Sequence, residues 1–307
     1  MHPVNNLRPA QVSSLSDDRI IRLRGRWQQE NGSVMNQTNT VRRTGMIGLG
    51  AMGIQFARHM ARKGFDVAGY DIDADAVRRA ENDGIRYRAS PAEIGKHAEL
   101  VVVMVATDEQ VDDVVERSGL LDTLAAGSVV CIASSVAPET CRRLAALAAA
   151  KTIGVLDTPV VLGQEAADNG TCTVYVGGEQ RWFLRAQPVL QSFGREVIHL
   201  GDVGSGQIAK MINNMLLWAT MVANFESLTL AKKLGMDIPR LAAALNMGSG
   251  ANWSLSRWGK STGKWAEKDM DHALELAQAA KVPMPLSGLV DQLVKEINQE
   301  RMKALLR

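Results

Sequence analysis

Thr44-Gly-Met-Ile-Gly48-Leu-Gly50-Ala-Met-Gly53 runs into a helix-forming stretch and then into Phe65-Asp-Val-Ala-Gly-Tyr70-Asp71. A short apolar strand meets Gly48-x-Gly50-x-x-Gly53, a helix follows with Phe56, Met60 and Ala61 on one face, and a second strand ends in an acid. Each part has a physical task. Gly48 permits the tight turn, Gly50 lets the backbone approach a pyrophosphate, and Gly53 lets helix and strand pack closely. The helix N-terminus turns free N–H groups and a positive dipole end toward the phosphates. Asp71 lies 18 residues after Gly53, where a carboxylate meets a ribose 2′-hydroxyl. The whole stretch reads as a dinucleotide-binding unit, with Gly48, Leu49, Gly50, Ala51, Met52, Gly53 and Asp71 as cofactor contacts.

Working outward, strands and helices alternate to about Leu200. Leu100-Val-Val-Val-Met-Val105 is a continuous apolar run, as expected for a parallel strand buried on both faces. Thr107-Asp108 reads as a helix start, and Ser128–Ala133 as the next strand, with Pro138 opening the helix after it. Val155–Thr158, Thr173–Val176 and Val197–Leu200 are further strands. From Ser205 to about Leu234 no proline interrupts a dense apolar pattern, which predicts one helix of about 30 residues, roughly 45 Å. Shorter helices are expected at Pro239–Asn246, Lys268–Lys281 and Pro285–Leu306. The fold class is α/β: a doubly wound, Rossmann-type domain over residues 44–203, then an all-α domain over 204–307. A long helix apolar on several sides points to a homodimer or homotetramer joined through the helical part.

The first 43 residues differ in character. They are polar, with Arg8, Arg19, Arg22, Arg24 and Arg26 among Asn, Gln and Ser, and they lack the apolar core of a secretory signal. They read as a disordered extension, or as translation assigned from too early a start, with Met35 as the alternative. The chain has 307 residues, 46% of them hydrophobic, enough for about two domains. A net charge of +2 gives no reason to expect nucleic acid or an anionic membrane surface. No apolar run is long enough for a spanning helix. Cys131, Cys141 and Cys172 show neither metal nor disulfide spacing and fit buried thiols in a reducing, cytoplasmic setting. His59, His97, His199 and His272 are scattered without ligand spacing, so no metal is expected. No Gly-x-Ser-x-Gly elbow supports hydrolase chemistry.

Gly204-Ser-Gly206-Gln-Ile-Ala-Lys210-Met-Ile-Asn213-Asn214 opens the long helix. Gly206, Lys210 and Asn214 recur every fourth position and share one face, so backbone at Gly206 is expected to approach a ligand. Ile208, Met211 and Ile212 surround Lys210 in sequence and are expected to strip its hydration. Desolvation disfavours the ammonium and lowers its pKa toward working pH. Such a lysine takes a proton from a substrate hydroxyl as a hydride leaves, and returns it in the reverse direction; Asn214 is placed to hold the same oxygen.

Four stretches, in order, make the chain resemble the β-hydroxyacid dehydrogenases, the family of 3-hydroxyisobutyrate dehydrogenase and relatives of 6-phosphogluconate dehydrogenase. Gly48–Gly53 is similar to the family's cofactor loop. Asp157-Thr-Pro-Val-Val-Leu-Gly163 stands where the family has Asp-Ala-Pro-Val-Ser-Gly-Gly. Gly206-x-x-x-Lys210-x-x-Asn213-Asn214 resembles the catalytic-lysine motif, and Lys268-Asp-Met with Leu274-Glu-Leu-Ala277 the family's Lys-Asp-Leu-x-Leu-Ala stretch. The resemblance covers about residues 44 to 290. It implies a small-molecule hydroxy acid or hydroxy amino acid substrate, Lys210 as general acid/base and Asn214 in substrate binding. It implies cofactor contacts at Val105, Ala106, Ser135 and Lys268, and substrate contacts at Ser134, Val161, Leu162 and Gly163.

Val161 and Leu162 depart from the family's loop serine and glycine. The segment Gly250–Lys268 is short and carries Trp253, Trp258 and Trp265, either as an apolar wall of the pocket or as packing. Asp71 repels a 2′-phosphate and Ile72 offers no arginine to receive one, so NAD is expected ahead of NADP. Two alternatives stand beside the dehydrogenase: an imine reductase-like enzyme, which lysine at 210 disfavours, and a cofactor-binding protein with little catalysis, which the altered loop keeps open.

Overall fold

The computed structural model describes residues 41–260 and 263–307. The reading of the N-terminal extension falls outside them, up to residue 40. At its other end that extension stops earlier than expected, because Val41 already belongs to the core and Arg43 to the first strand.

β1 (Arg43–Ile47) leads through the glycine turn into α1 (Gly53–Arg62) and β2 (Asp66–Tyr70). α2 (Ala74–Asn82), β3 (Arg86–Tyr87), α3 (Pro91–His97) and β4 (Leu100–Val103) follow. α4 (Asp108–Asp112) runs into a π-helical turn at Asp113–Arg117 and then α5 (Leu120–Thr123). β5 (Val129–Ile132), α6 (Pro138–Ala149), β6 (Gly154–Asp157), β7 (Val160–Val161), α7 (Gly163–Asn169), β8 (Cys172–Gly177), α8 (Gln180–Leu190) and β9 (Gly194–Gly201) complete this part. Local chemistry starts the helices as the sequence indicates: Thr107 Oγ1 accepts from the Gln110 amide at the head of α4, and Pro138 occupies the first turn of α6.

Among the described residues the strands form one nine-stranded sheet, in the order β3-β2-β1-β4-β5-β6-β8-β7, with β9 on β8. Pairing is parallel from β3 through β6, whereas β8 runs antiparallel to both β6 and β7 and parallel to β9. β3 and β7 have two residues each, too short to carry a periodic signal. β6 and β7 follow one line broken at Thr158-Pro159, where proline removes a ladder donor. Side chains of the central strands alternate between two cores. Val102, Cys131 and Leu156 join Phe56, Met60 and Phe183 on one face, while Val101, Val130 and Val155 join Ile94, Val115 and Leu144 on the other. Full burial of each large side chain contributes about 1.5–3 kcal/mol.

The helical part comprises α9 (Ser205–Lys233), α10 (Ile238–Leu245), α11 (Trp253–Ser256), α12 (Ala266–Ala279), α13 (Pro285–Val294) and α14 (Gln299–Leu305). α9 matches the expected long helix. The expected helix Pro285–Leu306 is in fact two helices, because Asn298 Oδ1 accepts from the Arg301 amide and starts a new one. Trp218, Met221, Leu255, Trp258 and Met270 form a third core under α9. No described helix is long and apolar enough to cross a membrane.

Candidate active site

The glycine turn separates three demands cleanly. Gly48 has φ +90°, and a side chain there would stand 2.2 Å from the Met104 carbonyl oxygen. A Cβ on Gly53 would sit 1.9 Å from the Gly48 carbonyl, so α1 approaches β1 as closely as backbone allows. At Gly50 nothing lies within 4 Å of a built Cβ, and the space above it is open. The amides of Gly50, Ala51 and Met52 find no acceptor among the described residues and stand at the head of α1. Such a set of free amides suits a pyrophosphate. Asp71 closes it from β2: Oδ2 accepts from the Leu49 amide at 2.5 Å and Oδ1 from the Asp73 amide at 2.8 Å. The nearby cations are engaged, Arg78 with Asp75 and Arg79 with Asp73. Ile72 is 85% exposed beside the acid. This arrangement fits an adenosine ribose with free hydroxyls.

The ends of β4 and β5 lie beside this cradle. Ser134 Oγ accepts from the Val105 amide at 2.8 Å, and the Ala106 amide donates to Gln110 Oε1. Lys268, at the start of α12, reaches across and donates to the carbonyls of Ala106 at 2.8 Å and Ser135 at 3.3 Å. Residues 162 apart in sequence therefore meet where the strands end.

Lys210 faces β7. Its Nζ donates to the Val160 carbonyl at 2.8 Å. Burial holds its pKa below the ordinary 10.5, with Asp269 and then Cys172 pulling the other way. Asp269, in α12, accepts on Oδ2 from Asn214 Nδ2 at 2.8 Å and from Trp218 Nε1 at 3.0 Å. Burial raises the Asp269 carboxyl above its ordinary range, against the pull of Lys210 and those two donors. A lysine held below its ordinary pKa thus shares its surroundings with a buried acid, and Asn214 keeps one N–H beyond the one it gives Asp269.

Asp157 fixes the lysine's helix. It is fully buried, and its Oδ1 and Oδ2 accept from the amides of Gly204 at 2.7 Å and Gln207 at 2.8 Å. It therefore caps α9, whose own N-cap position, Gly204, has no side chain. Burial raises the Asp157 carboxyl, opposed by those amides. Gln207 then holds the Ser134–Val136 loop, donating to the Ser134 carbonyl at 2.7 Å and accepting from the Val136 amide at 3.3 Å.

Several expectations change. Gly206 does not open toward a ligand: a Cβ there would lie 2.8 Å from Asp157 Oδ2 and from the Tyr175 carbonyl, so the close approach is to protein. Desolvation of Lys210 is present, but Ile212 is 51% exposed and not its source. Burial of the amine in the tertiary structure supplies it. Ser134 is 1% exposed, and its hydroxyl accepts from the Val105 amide and so positions the loop. Val161 is 5% exposed and its side chain is likewise closed in, whereas Leu162 and Gly163 both take positive φ, +81° and +71°. Of the tryptophans, Trp258 packs in the helical core while Trp253 and Trp265 do not.

Residues 43–201 match the family model for the NAD-binding domain of 6-phosphogluconate dehydrogenase. Residues 204–305 match that for the NAD-binding region of NADP-dependent 3-hydroxyisobutyrate dehydrogenase. A 3-hydroxyisobutyrate dehydrogenase of Pseudomonas aeruginosa is 34% identical over 265 residues, 80% of this chain and 89% of that one.

The chain belongs to the β-hydroxyacid dehydrogenase family.

Its fold is shared with a solved Mycobacterium tuberculosis 3-hydroxyisobutyrate dehydrogenase with L-serine, at TM-score 0.78 and 23% identity over 87% of this chain and all of that one. A Streptomyces aurantiacus imine reductase also shares it, at TM-score 0.61 and 18% identity over 87% of this chain and all of that one. As a β-hydroxyacid dehydrogenase the chain is an NAD(P)-dependent oxidoreductase acting on the CH–OH of a hydroxy acid. Within this family member, sequence reading missed Asp269, Trp218, Gln207 and Asp157 as parts of the site. Asp269 and Asp157 lay inside stretches quoted for their resemblance. Nothing local marks either as a partner, since the contacts of Asp269 with Asn214 and of Asp157 with Gln207 span 55 and 50 residues.

Proposed function

We propose that Lys210 is the general acid/base of this dehydrogenase, with NAD ahead of NADP as cofactor. The observation that carries this is the seating of its amine: partly buried, hydrogen-bonded to Val160 and set against Asp269. In the direction of oxidation the neutral amine takes the proton of the substrate hydroxyl; in reduction the ammonium returns it to the oxygen. Asp269 favours the ammonium form, and Asn214 offers its remaining N–H to the same oxygen. The nicotinamide supplies the hydride acceptor when bound. Gly48, Leu49, Gly50, Ala51, Met52 and Gly53 hold the pyrophosphate and Asp71 the ribose. Val105, Ala106 and Ser135 border the nicotinamide, with Lys268 locking their loops.

The division into a dinucleotide-binding part (44–203) and a helical substrate part (204–307) belongs to this proposal. So does a homodimer or homotetramer: Ile212 with Leu216 on α9, and Leu230 with Leu234 at its C-terminal end, leave exposed apolar pairs four apart. Buried thiols support a reducing, cytoplasmic setting. Lysine at 210 argues against imine reduction. The test is NADH absorbance with 3-hydroxyisobutyrate, serine, threonine, phenylserine, glycerate and threonate, each with NAD and NADP. Turnover with NAD favoured over NADP supports the reading. NADH binding without turnover of any acid favours a cofactor-binding protein with little catalysis.

A further inference from the structure

Gln164 reaches from α7 to the glycine turn. Its Nε2 donates to the Ala51 carbonyl, 113 residues away in sequence, at 2.9 Å, and to Asp168 Oδ1 at 2.8 Å. A carbonyl and a carboxylate only accept, so the amide end has one orientation: nitrogen faces both partners and Oε1 turns away. Among the described residues the Ala51 carbonyl receives no backbone donor. The Ile54 amide goes to Gly50, and those of Gln55 and Phe56 go to Met52. Gln164 is the partner it has.

The Ala51 carbonyl and the Met52 amide belong to one planar trans peptide, so they point in opposite directions. Holding the carbonyl from α7 aims the Met52 N–H away from α7. That N–H has no acceptor among the described residues and stands with the Gly50 and Ala51 amides at the head of α1. Donation to a carbonyl also polarises the amide conjugated with it and makes its N–H a stronger donor. α7 does not depend on Gln164 for its place. His59 of α1 donates from Nε2 to the carbonyls of Ala167 at 3.0 Å and Asp168 at 3.2 Å. Gly170, at φ +64°, leaves room for the imidazole, since a Cβ there would lie 3.0 Å from it. Ala166 and Ala167 are buried in the core, whereas Gln164 is exposed and adds little to packing.

We infer that Gln164 is a positioning residue for the cofactor: it orients the Ala51–Met52 peptide so that the Met52 N–H meets the pyrophosphate. This rests on the reading of Gly48–Gly53 as the pyrophosphate holder. The test measures Kd for NADH by fluorescence titration, and for ADP-ribose and adenosine by displacement of NADH. It uses the full chain, unaltered and as Gln164→Met and Gln164→Leu. The first variant keeps the length of the side chain and the second much of its bulk, and neither has a donor. Thermal melts confirm the fold of each. NADH and ADP-ribose carry the pyrophosphate, and in both variants they should bind about three- to tenfold more weakly, the worth of one hydrogen bond. Adenosine lacks it and should bind as before, a split that a general loosening of the site would not produce. Unchanged affinity for NADH and ADP-ribose in either variant overturns the inference, and so does an equal loss for adenosine. Failure of the unaltered chain to bind NADH or ADP-ribose would instead refute the pyrophosphate reading, and the inference would fall with it.

Discussion

Lys210→Ala removes the amine while leaving the cofactor cradle intact. The cradle is built from Gly48–Gly53 and Asp71, none of which bonds to Lys210, so NADH affinity should stay within about twofold. The chemical step should fall by about 10²- to 10⁴-fold, the scale of general acid–base catalysis, which is about 2.7–5.5 kcal/mol in the barrier. The pH profile supplies the sharper test. Burial keeps the folded Lys210 below its ordinary 10.5, and only the neutral amine accepts the hydroxyl proton. Oxidation in the unaltered chain should therefore rise with pH and level off before 10.5, while reduction, which needs the ammonium, should fall over the same window. In the variant both trends should flatten. The assay is stopped-flow NADH absorbance in both directions across pH, with cofactor binding followed by NADH fluorescence. A loss below about tenfold with the pH trend retained would refute the reasoning, because a proton carrier other than Lys210 would then be setting the rate.

Asp71→Ser should weaken NAD about 10- to 100-fold, the worth of hydrogen bonds to a charged group, and narrow its margin over NADP, read by fluorescence titration with both cofactors. Gly53→Ala places a methyl 1.9 Å from the Gly48 carbonyl and should cost about 2 kcal/mol or more, seen as a lower urea midpoint together with lost dinucleotide affinity. Lys210→Met should change how stability depends on pH. The unfolded chain binds more protons than the folded one between the lowered Lys210 pKa and 10.5, so the unaltered chain should gain on this variant as pH rises through that window, measured by denaturant melts. Thr152, β-branched at φ +56°, strains an exposed turn; Thr152→Gly should raise stability by about 0.5–1 kcal/mol, or about 2 °C in Tm by calorimetry.

Legibility tracked the distance over which each feature is decided. The glycine turn, α1 and the buried runs of β4 and β5 are set by steric and hydrophobic rules within a few residues, and they stand where the sequence put them. Helix ends followed caps of the same range, at Thr107 and Pro138. The break between α13 and α14 was legible in principle from Asn298, but an unbroken apolar pattern masked it. The reversal of β8 had no local marker, since β7 is two residues long.

What the sequence by itself determined is the α/β chemistry of the frame: a nucleotide-binding turn with an acid after it, a long helix bearing Lys210, and a loop at 161–162 without hydroxyl or glycine. Tertiary structure decided which groups share the lysine's surroundings. Asp269 arrives from α12, Asp157 pins the head of α9 from the end of β6, and Lys268 bridges loops 162 and 133 residues away. A hydrogen bond depends on distances of about 3 Å and on direction. Spacing along the chain carries that information only within one helix or strand, and these partners meet only when the helices close over the sheet.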